Sequence, residues 1–353
     1  MTIPAAHFFR PEEAAPQTAP QTAPQTAAMR NLRCFLCPRQ CALPPGAKGR
    51  CGVRVNVDGR GEIPFYGFIT ALAEDPIEKK PLYHYRPGSN ILSLGFAGCN
   101  LRCPFCQNYR LSQGTGSPGT PLPPEKIIAL ARDRGFKQIA YTYSEPLIHV
   151  EFLLDCMAAA REAGIANVLV SNGFVSAEAA AEILPLTGAV NIDLKCFSEA
   201  TYSKVLGGGL SAVLAFIEAA FRGGVHVEVT TLVVPGLNDS DAELDAAGRF
   251  IAGLSPDIPW HLSAYHPAYR WNAPPTDPVV LEAAARRAQG VLSFVYTGNI
   301  AGGLSDTLCP RCGNPLVIRR GYRVDTRGLI LNGAEPADGY CCSRCGSPVP
   351  FRA

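Results

Sequence analysis

No run of apolar residues comes near the ~20 that a membrane-spanning helix needs, which excludes a helical transmembrane protein. No charged stretch followed by an apolar one stands at the N-terminus, so no export signal is expected. An excess of charge of either sign is missing too. Against 32 Lys+Arg stand 30 Asp+Glu, a formal +2. That excludes the strongly basic surface of a nucleic-acid binder and the acidic tail of a solvating chain. With 47% apolar and 18% charged residues the composition is globular. The expectation is a soluble cytoplasmic protein, and 353 residues suggest two or three structural units.

Cysteine, by contrast, is abundant. Of 14 Cys, twelve fall in three short clusters. A secreted disulfide scaffold would be smaller and exported. In a reducing compartment, Cys-x-x-Cys spacings mean metal, iron–sulfur or thiol redox chemistry.

Residues 1–30 read as a disordered tail, because Pro16–Ala27 repeats Pro-Gln-Thr-Ala three times and offers nothing large to bury. Met29 is an alternative start to Met1. Residues 31–60 hold the first cysteine cluster in a Pro/Gly-rich setting, too small for a core without a metal staple. Residues 61–90 read as a connector. From 91 to 300, strand candidates at 91–96, 138–143, 167–171, 190–194, 225–234, 259–264 and 293–296 alternate with Ala-rich helix candidates. That alternation predicts a parallel α/β sheet, as an open or closed barrel or, alternatively, a doubly wound sheet. In each case the chemistry belongs at the C-terminal ends of the strands. Residues 301–353 form a third region with two Cys pairs.

The central cluster follows the first strand: Gly95-Phe-Ala-Gly-Cys99-Asn-Leu-Arg-Cys103-Pro-Phe-Cys106-Gln-Asn108. Its glycines and proline predict a loop. Three thiolates without a fourth suit a cubane [4Fe–4S] cluster with one open iron; the competing reading is a zinc site with a distant fourth ligand. Cys-x3-Cys-x-aromatic-Cys after the first barrel strand resembles the radical SAM signature. The resemblance implies a partial (β/α)6 TIM-like barrel, a [4Fe–4S] cluster on Cys99, Cys103 and Cys106, and S-adenosylmethionine (SAM) chelated to the open iron and cleaved to a 5′-deoxyadenosyl radical. It also places the aromatic Phe105 in the cofactor site.

Further motifs carry the same resemblance. Thr142-Tyr-Ser-Glu145-Pro146 looks like the family's Gly-Gly-Glu-Pro, whose acid holds the SAM ammonium, with Tyr143 and Ser144 in place of the glycines. Ser171-Asn172-Gly173 resembles the Thr-Asn-Gly of glycyl-radical-enzyme activases. Asp193-Leu-Lys195 matches their SAM-contacting Asp-x-Lys, and His266 stands where they place a SAM-contacting His. The stretch Thr231–Asp239, with Pro235-Gly-x-Asn238-Asp239, also matches. His149, His226 and His261 have no such support and read as structural; Cys156 and Cys196 read as buried small hydrophobes.

Cys34-x2-Cys37-Pro-x2-Cys41, Gly49-x-Cys51-Gly-Val-Arg54 and Pro76-Ile-Glu-Lys-Lys-Pro-Leu-x-His84 extend the likeness to the AmmeMemoRadiSam-system radical SAM enzymes, relatives of pyruvate formate-lyase activating enzyme. This implies an electron donor such as flavodoxin or ferredoxin, and Memo-like partner proteins. It implies hydrogen abstraction from a protein glycine, another peptide or a small molecule.

For Cys34, Cys37, Cys41 and Cys51 two readings stay open: a structural zinc knuckle, or an auxiliary iron–sulfur cluster. Cys309-Pro-Arg-Cys312-Gly and Cys342-Ser-Arg-Cys345-Gly read as a zinc ribbon, with rubredoxin-type iron as the alternative and Cys341 out of register. A competing function of a different class is a zinc-ribbon adaptor for protein or nucleic acid, the latter disfavoured by the near-neutral charge.

Overall fold

The computed structural model describes residues 6–12, 30–114, 119–333 and 339–352. Its centre is one eight-stranded sheet. The strands are β1 (Ala71–Pro76), β2 (Asn90–Gly95), β3 (Gln138–Thr142), β4 (Ala166–Ser171), β5 (Ala189–Asp193), β6 (His226–Val233), β7 (Trp260–Ala264) and β8 (Val295–Gly298), paired in that order. Strands β2 to β8 are parallel; β1 runs antiparallel along β2. Helices α1 (Pro124–Asp133), α2 (Val150–Glu162), α3 (Ala177–Ile183), α4 (Leu210–Arg222), α5 (Asp241–Leu254) and α6 (Pro278–Ala288) cross over between successive parallel strands. This is a (β/α)6 layout completed by a seventh parallel strand. Among the described residues the sheet stays open, since β8 pairs only with β7.

Strands β3 to β6 and β8 are short runs rich in β-branched residues. β3 is buried at every position and β5 at all but its last, as expected where both faces are covered. Helix starts follow the local chemistry. Pro124 and Pro278 stand at the first helical positions, where no amide hydrogen is needed. Ser176 and Ser240 accept from Ala179 N and Glu243 N as N-caps. No single described helix is long and apolar enough to cross a membrane.

Two segments differ from the expectations. The tail expected over 1–30 is not a tail throughout. Phe9–Pro11 pairs antiparallel with Leu32–Cys34, and Phe8 is buried, because the Phe8 ring packs against Phe35 and completes the small N-terminal sheet. The repeat Pro16–Ala27 lies outside the described residues. The connector 61–90 is also more than a connector. It supplies β1, and its Pro81–Tyr85 segment closes the N-terminal end of the barrel. There the Tyr83 and His84 amides donate to Glu228 (2.9 and 2.8 Å), and the His84 ring stacks on Phe351. Glu228 is fully buried and accepts from His226 (2.9 Å) and His261 (2.6 Å). Burial alone would raise its carboxyl; the two imidazoles hold it well below the usual range. His226 and His261, read as structural, are the partners of this floor.

The C-terminal region forms two small three-stranded sheets with a separate core of Cys309, Leu316, Val317, Cys342, Val349 and Phe351.

Candidate active site

The loop carrying Cys99, Cys103 and Cys106 leaves β2 at the C-terminal end of the barrel. It is held from four sides. Ser144 Oγ donates to Phe96 O (2.6 Å), His149 Nε2 lies 2.8 Å from Ala97 O, Asn100 Nδ2 donates to Phe174 O (2.6 Å), and Asn108 Nδ2 donates to Tyr143 O (2.6 Å). Gly98 is the one position where the loop demands glycine. Its φ is +85°, and a Cβ there would lie 2.5 Å from Cys51 O of the N-terminal module.

Burial pushes the Cys103 thiol up to about 12 and the Cys99 thiol well above its usual value. Such thiols become ligands by exchanging protons for a cation. The donors around them suit ligated sulfur: Leu101 N and Asn172 Nδ2 reach Cys99 Sγ at 3.4 and 3.6 Å, and Ser112 Oγ lies 3.2 Å from Cys106 Sγ. With no fourth cysteine in the loop, the set fits a cluster with one open iron.

Beside the triad, Glu145 ends the stretch after β3. It is completely buried and accepts from Leu147 N (3.0 Å), Ser171 Oγ (2.8 Å) and Asn172 N (2.8 Å). Burial raises its carboxyl to about 7, against the pull of these donors. No Lys, Arg or His pairs with it among the described residues. Thr142 is buried at the end of β3. Tyr143, standing where the resembled motif has glycine, adopts φ +71°. Its hydroxyl donates to Asp75 (2.5 Å), and Lys80 Nζ sits 4.4 Å above its ring. Those contacts from β1 and the turn after it hold a tyrosine in the left-handed region, a strain of the kind that collects at functional sites.

At the end of β5, Asp193 and Lys195 form a half-buried ion pair of 2.8 Å, and the lysine charge acts on Cys103. Asn238 latches this strand end to the loop after β6. Its Nδ2 donates to Lys195 O (2.6 Å) and Leu232 O (2.8 Å), and its Oδ1 accepts from Val234 N (2.6 Å). This is the structural content of the Pro235–Asp239 motif. Asn172 joins Asn100 (3.0 Å) and Cys99, tying the end of β4 to the triad.

Glu145, Ser171, Asn172, Asp193 and Lys195 therefore gather around the triad. Phe105 is buried in the same core cluster as Cys103. His266, after β7, is exposed, with its ring 3.2 Å from Asn299 O. Sequence reasoning passed over Tyr109 and Tyr269, whose rings stack at 4.8 Å beside the triad loop, with Arg270 N bonded to Pro104 O. The signal was only an aromatic near each motif.

The N-terminal module docks through Arg54, which forms a bidentate buried pair with Glu151 of α2 (2.8 and 2.9 Å). Cys34, Cys37, Cys41 and Cys51 line one cleft in it. In the C-terminal ribbon, the Cys309, Cys312, Cys342 and Cys345 sulfurs all lie within 4.8 Å of one another, with Gly313 and Gly346 at positive φ after each second cysteine. Among the described residues this is the one group of His, Cys, Asp and Glu with that close spacing. Cys341 is buried outside it, and Cys156 and Cys196 are buried as small apolar side chains.

A parallel α/β sheet with a three-cysteine loop after its first parallel strand defines a class, and comparison with known proteins agrees. The radical SAM superfamily description matches residues 94–247. An uncharacterized protein of Methanocaldococcus jannaschii is 39% identical over 324 residues, 90% of this chain and 95% of its own. The pyruvate formate-lyase-activating enzyme of Clostridium pasteurianum is 28% identical over 177 residues, 48% of this chain and 73% of its own. A radical SAM methyltransferase from Sphaerobacter thermophilus overlays 62% of this chain and 70% of its own at 16% identity and a TM-score of 0.48. The chain belongs to the radical SAM superfamily. The cofactors of that family are a [4Fe–4S] cluster and SAM.

Proposed function

We propose that this chain uses Cys99, Cys103 and Cys106 to hold a [4Fe–4S] cluster, and that its substrate presents a C–H bond of a peptide or protein at the mouth of the barrel. The observation that carries this reading is the convergence, on one barrel end, of three thiols without a fourth and a buried carboxylate without a cation. When bound, the cluster supplies the electron that splits SAM into methionine and a 5′-deoxyadenosyl radical. Glu145 offers the ammonium of SAM a charged acceptor in a dry site, where such a bond is strong. Ser171 and Asn172 fix the orientation of that carboxylate. Asp193 and Lys195 present one charge of each sign to the polar groups of SAM, and Lys195 balances the thiolates. Buried Phe105 and Leu101 keep water from the loop.

Similarity to the Clostridium pasteurianum activating enzyme supports an activase-like reaction on a protein glycine. A second relative, named "Probable GTP 3′,8-cyclase" in Thermococcus kodakarensis (29% identical over 161 residues, 44% of this chain and 51% of its own), keeps a small-molecule substrate as the alternative. A one-electron donor such as flavodoxin or ferredoxin, and Memo-like partners, belong to this reading.

In the ribbon, Cys309–Cys345 and Cys312–Cys342 sulfur distances of 3.8 and 3.7 Å match the edges of a tetrahedral zinc thiolate. We assign structural zinc there, since four ligands leave no open position. Residues 91–300 form the catalytic unit, flanked by metal modules at 31–60 and 301–353.

The test is reductive cleavage of SAM by the anaerobically reconstituted protein, read as 5′-deoxyadenosine. Wild type yields it; a variant with Cys99, Cys103 and Cys106 changed to Ala does not. Equal yield from both overturns the reading.

A further inference from the structure

We infer that Cys34, Cys37, Cys41 and Cys51 hold a second [4Fe–4S] cluster, not a zinc ion. The chain contains its own ruler. Four thiolates on one zinc sit at the corners of a small tetrahedron, and the ribbon sulfurs have that spacing, at 3.7 and 3.8 Å. The N-terminal quartet does not: no three of its sulfurs come within 4.8 Å of one another. The Cys99, Cys103 and Cys106 sulfurs do not either. In a cubane each thiolate binds a different iron, so the sulfurs stay apart. Like the triad, the quartet lacks the closed spacing of the ribbon. That comparison rests in part on the cluster proposed for the triad.

The lining of the cleft points the same way. Arg39 and Arg54 line it with the cysteines; the Nε of Arg39 is buried without a hydrogen-bond acceptor, whereas the Arg54 side chain already bonds Cys34 and Glu151. Arg54 as a whole is 1% exposed. A zinc tetrathiolate adds no acceptor to the thiolates already present. A cubane adds inorganic sulfides, which accept hydrogen bonds from such donors.

The position gives the site its chemistry. Cys51 O is packed against Gly98, the residue before Cys99. Arg102 spans the two loops, donating to Cys99 O (2.9 Å) and to Arg50 O. One layer of backbone separates the quartet from the triad. With all four irons ligated, the second cluster has no open position for SAM. It is a one-electron centre set against the loop of the first.

The experiment uses the full chain with Cys99, Cys103 and Cys106 replaced by Ala, which leaves the N-terminal module untouched. After anaerobic reconstitution, iron, acid-labile sulfide and zinc are counted, and the dithionite-reduced protein is examined by electron paramagnetic resonance and Mössbauer spectroscopy. Wild type is expected to carry about eight irons and about eight sulfides per chain, and the variant about four of each. The cluster signal of the variant is expected not to respond to SAM. If the variant does not fold, the wild type decides: about four irons and sulfides in place of about eight, with a cluster signal that responds to SAM, overturns the inference. A folded variant without sulfide-bound iron overturns it as well, whatever zinc it carries. If wild type and variant both hold about four irons and sulfides, insensitive to SAM, the second cluster stands and the reading of the triad fails.

Discussion

Glu145 is a carboxylate placed where burial disfavours its charge, with donors to hold it and no resident cation. Its upward displacement to about 7 means that the proton and the SAM ammonium compete for the same oxygen atoms. SAM affinity is therefore expected to rise as pH increases through about 7. The substitution Glu145→Gln should weaken binding by roughly ten- to a hundredfold, the worth of one charge-assisted hydrogen bond. It should also flatten the pH dependence. Calorimetric titration of the reconstituted protein with SAM at pH 6 and pH 8 checks both, and a Gln variant with an undiminished pH slope removes Glu145 from the site. This residue was legible because an acid before a proline at a strand end is a short, local pattern. Tyr143 was not. That a tyrosine takes the left-handed conformation where the resembled motif has glycine depends on Asp75 and Lys80, which reach it from another strand and its following turn.

At the scale of elements, the parallel strands and crossover helices were readable because each is a local pattern: buried β-branched runs, Pro at helix starts, Ser at caps. β1 was not, since Ala71-Leu-Ala-Glu-Asp-Pro76 lacks polar/apolar alternation, is built mostly of residues depleted in strands, and becomes a strand only by pairing with β2. The order of the N-terminal segment was hidden for the same reason: Phe8 is buried only because Phe35 is there to cover it. Docking of the N-terminal module was equally invisible, since Arg54 and Glu151 lie 97 residues apart. That pair makes a sharp prediction. Arg54→Met leaves a carboxylate buried without its partner and should cost roughly 3–5 kcal/mol. Arg54→Met combined with Glu151→Leu should recover much of the loss, because replacing both charges removes the stranded one. Urea unfolding of the two variants decides; equal losses would show that the module is held elsewhere. Gly98→Ala acts at the same contact. A Cβ that close to Cys51 O, at positive φ, should push the triad loop off the module and lower the iron bound per chain.

Over the whole molecule, two buried histidines and the buried Glu145 set the pH response with opposite signs. His84 in the floor is held neutral by burial, its value lowered from 6.5 to about 3, with Glu228, His226, His261 and Arg319 acting on it. His149 under the triad loop is likewise lowered to about 4, again chiefly by burial. In the unfolded chain both take up a proton near pH 6.5; in the folded protein they do not. Their stabilisation is present above that pH and is lost as pH falls toward the folded values. Between pH 7 and 5 each loses on the order of 2 kcal/mol. Glu145 runs the other way. Raised from 4.5 to about 7, it favours the folded state when protonated, a contribution that is full below 4.5 and lost as pH rises through about 7. Acidification from pH 7 to 5 therefore returns about 2 kcal/mol at the mouth while the two histidines lose about twice that. The SAM-free protein should be modestly less stable at pH 5 than at pH 7. Glu145→Gln, which cannot take up the proton, should lose the offset and steepen the decline by about 2 kcal/mol. Urea midpoints of wild type and variant at the two pH values measure the difference directly. A Gln variant with the wild-type pH slope would mean that Glu145 does not meet the apolar surroundings that its burial between the ends of β3 and β4 describes.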